Sequence, residues 1–156
     1  MSFSIDYSTV ARCRPEHIWQ AIQDIRRWPQ FDPDYIESVN WVSGEPWQKG
    51  SRFQIKVRRP VSYTLTPEIV EAEKPILIHW KGKGSGVTGE QWFIFKILPD
   101  GNTELRTLQE YSGAPLFLLG QRGKSAIEQG VRHVLDHIKK EAESNARIAN
   151  WTPPCV

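Results

Sequence analysis

The sequence predicts an α+β domain in which a curved antiparallel sheet of six to seven strands wraps a long C-terminal helix, with two short helices between strands 1 and 2. Three observations lead there. Apolar and polar residues alternate in short segments from Phe3 to Tyr111, the period of half-buried strands. Prolines and glycines punctuate these segments at short intervals, so consecutive strands are joined by turns and pair antiparallel. After Gly113 the apolar period becomes that of a helix, and this is the one long helical pattern in the chain.

Phe3 to Arg12 sets Phe3, Ile5, Tyr7 and Thr9 on one side and Ser4, Asp6 and Ser8 on the other, which makes the first strand. Pro15 suits a first helical turn, Ile18, Trp19, Ile22 and Ile25 recur at helical spacing, and Pro29 forbids continuation, so a helix is expected from about Pro15 to Arg27. Phe31 to Ser38, with Pro33 and its acidic residues, has room only for a short second helix. Val39 to Val42 reads as a strand closed by Gly44 and Pro46. Arg52 to Arg58 alternates polar Arg52, Gln54, Lys56 and Arg58 with apolar Phe53, Ile55 and Val57, until Pro60 ends the strand.

Further strands are expected at Ser62 to Glu71, Ile76 to Lys81, Gly89 to Leu98 and Thr103 to Tyr111. Lys74-Pro75, a flexible glycine-rich loop over Gly82 to Gly89, and Pro99 to Asn102 separate them. Beyond Gly113, Pro115 opens a helical region whose stripe is Ile127, Val131, Val134, Leu135, Ile138 and Ala142. Gly120, Gly123 and Gly130 weaken it, so Leu116 to Leu119 is expected as a separate turn or a mobile segment. Residues 1–149 form a single domain, and 150–156, containing Pro153-Pro154, a loose tail.

Composition narrows the function classes. Twenty basic against eighteen acidic residues leave a net charge of +2, and the basic residues are scattered apart from Lys56, Arg58 and Arg59, so nucleic acid is not an expected partner. The longest uncharged apolar stretch, Ala114 to Gly120, falls far short of the roughly 18 residues a membrane span needs. Cys13 and Cys155 form neither a metal-ligand pair nor a disulfide framework, and the first residues lack the charged and apolar blocks of a secretory signal. A cytoplasmic protein with reduced thiols is expected, as a monomer or homodimer.

The predicted fold has a consequence for function. A sheet with one apolar face must cover it, and the C-terminal helix, about 10 Å across, is narrower than the concave face. Aromatic side chains must take up the difference, and the chain carries seven Trp, six Phe and four Tyr. What they leave open becomes a pocket for a small hydrophobic molecule. The strand residues expected to line it are Phe53, Ile55, Tyr63, Leu65, Ile78, Trp80, Trp92 and Phe93, joined by Phe31 and Tyr35 before the second strand and by Phe117, Ile127 and Val131 from the C-terminal region. Both faces of Gln91 to Phe95 are apolar, so which of them turns inward stays open. Leu108 and Arg106 on the last strand are included in the candidate lining, Arg106 as a partner for an anionic group.

The segment Arg14-Pro15-Glu16-His17-Ile18-Trp19-Gln20-Ala21-Ile22-Gln23-Asp24 followed by Trp28-Pro29-Gln30-Phe31-Asp32-Pro33 resembles the opening of the START/polyketide cyclase superfamily, whose fold is the helix-grip. The Gly101-Asn102-Thr103-Glu104-Leu105 hairpin and the Glu110-Tyr111-Ser112-Gly113 exit into the last helix are similar to it as well, so the likeness spans nearly the whole chain. The resemblance implies a cavity for lipids, polyketides or other hydrophobic molecules, and in some members aromatic cyclisation or dehydration. It also implies a cavity-facing acid at the position of Glu110, whose pKa desolvation would raise toward acid/base use. With a simple hairpin register Gln91 faces Glu110.

Other motifs carry less. His133-Val134-Leu135-Asp136-His137 resembles an inverted zinc motif, but both histidines fall far round the helix from the apolar stripe, so no metal is expected. Gly82-Lys83-Gly84-Ser85-Gly86 lacks the ending of a phosphate loop, and neither cysteine nor any serine sits in a nucleophile motif. No cofactor is called for. Three functions remain: a binding or carrier protein for a hydrophobic ligand, a cyclase or dehydratase using Glu110 with Tyr63 or Arg106, and a protein-interaction module like the heat-shock ATPase activators.

Overall fold

The structure, a computed structural model, describes residues 2–154. Eight strands form one antiparallel sheet: β1 Ser2–Ala11, β2 Ile36–Ser43, β3 Arg52–Val57, β4 Tyr63–Leu65, β5 Glu68–Glu73, β6 Leu77–Gly84, β7 Val87–Ile97 and β8 Thr103–Ser112. They lie in the order β1-β8-β7-β6-β5-β3-β2, with β4 paired to β3 off that path. Helix α1 (Pro15–Ile22) and a 3-10 segment (Ile25–Gln30) intervene between β1 and β2, and the short α2 (Ala114–Phe117) leads into the 29-residue α3 (Gly120–Ile148). The curved sheet around one long helix, with short helices after β1, is the helix-grip architecture.

Alternation places the sheet's apolar side. Along β8, Thr103, Leu105, Thr107, Gln109 and Tyr111 are buried while the residues between them are more exposed, and β7 repeats this with Gln91, Phe93 and Phe95. Helix α3 lies over that side and buries Ile127, Val131, Leu135, Ile138, Ala142 and Ala146 at helical spacing. Its Gly130 has no Cβ for a structural reason: one would overlap Cδ2 and Cε2 of the Tyr35 ring, which packs against the helix there.

Several boundaries differ from expectation, each for a local reason. The first helix stops at Ile22 because Asp24 turns extended and its carboxylate accepts a hydrogen bond from the Arg26 N–H at 3.2 Å, so the chain continues as a 3-10 turn. The second short helix is therefore this 3-10 segment, Ile25–Gln30, and not Phe31 to Ser38, where β2 begins at Ile36. The expected strand Ser62 to Glu71 is broken into β4 and β5 at Thr66-Pro67, where proline has no N–H for a ladder. The hairpin expected at Gly82 to Gly89 is there, with a turn shorter than the flexible loop foreseen. β6 and β7 run through its glycines to a two-residue turn at Ser85 and Gly86, both at positive φ (53° and 77°). Cβ atoms at Gly82 and Gly84 would strike the backbone of residues 64–67, so these glycines admit the close approach of β4.

The expected loose tail is anchored as far as it is described: the Trp151 N–H donates to the Ala146 carbonyl at 2.9 Å, and its indole meets His17 edge-on. Cys155 lies outside the described residues. Cys13 is buried, and burial pushes its thiol up to about 12, so it packs as a small apolar group. Among the described residues no helix is long and apolar enough to cross a membrane.

The contact between Tyr35 and Gly130 gives a sign-reversing test. In the native background, Gly130→Ala forces the ring away and costs about 1–3 kcal/mol, as overpacking does. In a Tyr35→Ala background the obstacle is gone, and the same change becomes neutral or stabilising, because alanine favours a helix by about 1 kcal/mol over glycine. Thermal denaturation of the four variants measures this. An equal cost in both backgrounds would show that the ring is not what excludes a side chain at residue 130.

Candidate functional site

Between the concave sheet face and α3 the side chains leave a hollow of about 50 Å³, counted as space open to the centre of a water molecule. On that measure a single water needs about 10–15 Å³, so the hollow has room for about four waters, or one aromatic ring. Its wall is built by period-two geometry: Ile55 and Val57 from β3, Tyr63 and Leu65 from β4, Trp80 from β6, Gln91 and Phe93 from β7, and Gln109 and Tyr111 from β8. Val131, Val134 and Leu135 close it from α3, and Trp28, Tyr35 and Ile36 close one end. None of these side chains is charged at neutral pH.

The few polar groups of the wall are largely fixed. The Tyr111 hydroxyl donates to Gln109 Oε1 at 2.6 Å, Gln91 Nε2 donates to Thr107 Oγ1 at 3.0 Å, and Thr107 Oγ1 donates to the Trp92 carbonyl at 3.1 Å. Two buried groups stand outside this network. Tyr63 Oη and Trp80 Nε1 have no hydrogen-bond partner among the described residues, although each side chain belongs to a residue only 3% exposed. Leaving such a group unpaired costs about 1–3 kcal/mol, so both are atoms at which a guest gains affinity.

Tyr35, Tyr63 and Tyr111 influence one another's ionisation. Burial is the main cause in each case: it pushes Tyr35 up to about 12 and holds Tyr63 and Tyr111 well above the ordinary phenol value, with the neighbouring hydroxyls as a smaller contribution. The Tyr35 hydroxyl is near enough to act on Tyr63 in this way but does not stand in hydrogen-bonding geometry to it. The three phenols are therefore neutral hydrogen-bonding groups. Tyr35 also faces an outer cleft of about 90 Å³ bordered by Asp32, Asp34, Arg59, Gln129 and His133, so its ring stands between that cleft and the hollow.

Of the expected lining, Tyr35, Ile55, Tyr63, Leu65, Trp80, Gln91, Phe93 and Val131 do line the hollow. Phe31, Phe53, Ile78 and Ile127 are buried in the surrounding core without lining it, Phe53 edge-on to the rings of Trp28, Trp41 and Trp80. Phe117 packs edge-on against Phe3.

Trp92, Arg106, Leu108 and Glu110 need correction, because all four project from the outer face of the sheet. The expected register is off by one: the β7–β8 hairpin pairs Gln91 with Gln109 and Glu90 with Glu110, since residues 98–102 lie between the last pair, Ile97 and Thr103. Glu110 is exposed and meets no catalytic environment there. Arg106 makes a two-pronged ion pair with Asp6, Nη2 to Oδ2 at 2.6 Å and Nε to Oδ1 at 2.9 Å, which holds the Asp6 carboxyl below its usual value. Trp92 stacks on His79 at 4.5 Å between ring centroids, and Leu108 is its cross-strand neighbour.

Sequence reasoning missed Gln109 and Tyr111, which the alternation of β8 would have supplied once Thr107 was taken as inward. It also missed Val57, Val134 and Leu135, although each sits on an apolar pattern already recognised. Trp28 and Ile36 carried no local signal, since the turn that brings them to the hollow depends on Asp24.

Comparison with known proteins agrees with this fold. The sequence profile of the polyketide cyclase / dehydrase and lipid transport family matches residues 2–143. A search of curated proteins finds no match. Among solved structures, the Zhui aromatase/cyclase from Streptomyces sp. R1128 superposes with a TM-score of 0.76 at 13% identity, covering 97% of this chain and 100% of that one. TTHA0849 from Thermus thermophilus gives 0.74 at 16% identity over 91% and 98% of the two chains. Ara h 8.0201 gives 0.71 at 12% identity over 92% and 99%. At these identities the likeness is one of fold.

The buried phenols set an alkaline limit on stability. A tyrosine whose folded pKa lies above its unfolded value stabilises fully below about pH 10 and loses that contribution as pH rises toward the folded value, about 12 for Tyr35. The melting temperature is expected to hold up to about pH 10 and to fall beyond it, less steeply in Tyr35→Phe. A transition without alkaline dependence between pH 10 and 12 would contradict the burial of these hydroxyls.

Proposed function

The chain belongs to the polyketide cyclase / dehydrase and lipid transport family, and from that premise we propose that it binds a small hydrophobic molecule in the hollow between sheet and α3. One observation carries the reading: an uncharged, mainly aromatic and aliphatic space, partly open to the outside, survives between sheet and helix, where close packing would otherwise fill it. Pockets lined mainly by aromatic and aliphatic groups with a few fixed polar atoms take up small hydrophobic guests. The volume argues for a guest of about one ring, or for one end of a longer molecule whose remainder passes Tyr35 into the outer cleft.

A second reading, chemistry on the same guest, is favoured by the cyclase and dehydrase part of the family description and by the fold of the Streptomyces aromatase/cyclase. Glu110 has no part in it, being on the far side of the sheet. The hollow offers neutral phenols and amides, which orient a carbonyl or hydroxyl rather than abstract a proton, and this weights the proposal toward binding.

Methyl resonances locate the guest. On titration with toluene, the methyls of Ile55, Val57, Val131 and Leu135 are expected to shift together and saturably, while those of Ile97 and Ile148 on the surface stay still. Shifts confined to surface methyls, or none at all, would remove the basis for a binding role.

A further inference from the structure

Resting on the binding role just proposed, we infer that the preferred guest is a neutral single-ring compound bearing a carbonyl oxygen, held by Trp80 Nε1 with Tyr63 Oη as the second donor. The inference begins from an imbalance in the wall. The amide nitrogens of Gln91 and Gln109 and the hydroxyls of Thr107 and Tyr111 are paired within the protein, whereas Trp80 Nε1 and Tyr63 Oη are buried without a partner among the described residues.

An indole nitrogen can only donate, so whatever satisfies Trp80 must present a lone pair. A hydrocarbon filling the hollow would leave both donors unpaired, as they are without a guest, and gain nothing from them. A carbonyl oxygen has two lone pairs, and a guest that brings one exchanges an unpaired donor for a hydrogen bond in surroundings where little else competes.

Charge is excluded for a separate reason. No cation lines the hollow, and its three tyrosines are themselves held neutral by burial, so a carboxylate entering it would lose its hydration without an ion partner. Size follows from the volume, about 50 Å³ of space for water centres, which suits an aryl aldehyde or ketone and excludes a fused polycycle unless the wall moves. Trp80 is well placed for selection. It projects from the centre of β6, its ring braced edge-on by Phe53 at 5.5 Å between centroids, so its N–H is a fixed direction within the wall and not a mobile group that could turn away.

The test compares two guests of nearly one shape, acetophenone and α-methylstyrene, in which a carbonyl oxygen is exchanged for a methylene carbon. Calorimetric titration of the full chain is expected to show acetophenone bound about tenfold more tightly, the size of one recovered hydrogen bond, with benzoate not bound. Trp80→Phe removes the donor and leaves a smaller aromatic ring, and Tyr63→Phe removes the hydroxyl and keeps its ring. The tenfold preference for acetophenone over α-methylstyrene, read as a ratio within each protein so that the change of cavity size cancels, should shrink in each and vanish in the double variant. Equal affinity for the two guests in the native protein, or a preference that survives the double variant, would overturn the inference and leave the binding role standing. Failure of both guests to bind would overturn the two together.

Discussion

A helix about 10 Å wide cannot fill a concave sheet face that spans eight strands, and the rest of this structure follows from that mismatch. Helix α3 reaches the sheet along one stripe, Ile127 to Ala146. To either side, rings bridge the distance: Phe53, Trp28 and Trp80 interlock edge-to-face on one flank, and Tyr111 and Phe3 lie at 5.6 Å on another. Such rings are stiff and cannot fold over one another like aliphatic chains, so their packing leaves a residue of empty space where Trp80, Phe93, Tyr63 and Val131 face one another.

The same mismatch explains why the interior tolerates so much polarity. Gln91, Thr107 and Gln109 point inward because the strand period demands it, and they survive there by bonding to each other and to the Trp92 carbonyl. Such a network is rigid, since each member fixes the next. Tyr63 and Trp80 line the hollow and stand outside that network with their donors unpaired, and a fold under pressure only for stability would have apolar groups there. A site that discriminates among guests needs such unsatisfied atoms, because an entirely apolar wall distinguishes molecules by size alone.

Much of the architecture was legible because alternation and helical spacing are direct images of geometry. β1, β3, β8 and the stripe of α3 lie where their patterns put them. The misreadings share one cause: they concern features set by a single residue or a single pairing. Asp24 cut the first helix short through its own side chain, and Pro67 divided a strand by lacking a hydrogen. The five residues from Leu98 to Asn102 shifted the β7–β8 register by one and carried Glu110 and Arg106 to the outer face, while Gln109 took the inward place. Family likeness pointed at Glu110 as a cavity acid, and the pairing of two strands moved it to solvent.

The hollow itself is the claim on which the account rests, and xenon reports on it most directly, since this atom enters apolar cavities irrespective of their chemistry. A crystal of the protein held under xenon pressure should show the gas bounded by Ile55, Phe93, Val131 and Leu135, with the side chains around it unmoved. Xenon found only in surface grooves, with Trp80 or Tyr63 turned inward to occupy that volume, would mean that the rings do fill the space beneath the helix, and the proposed binding site would not exist.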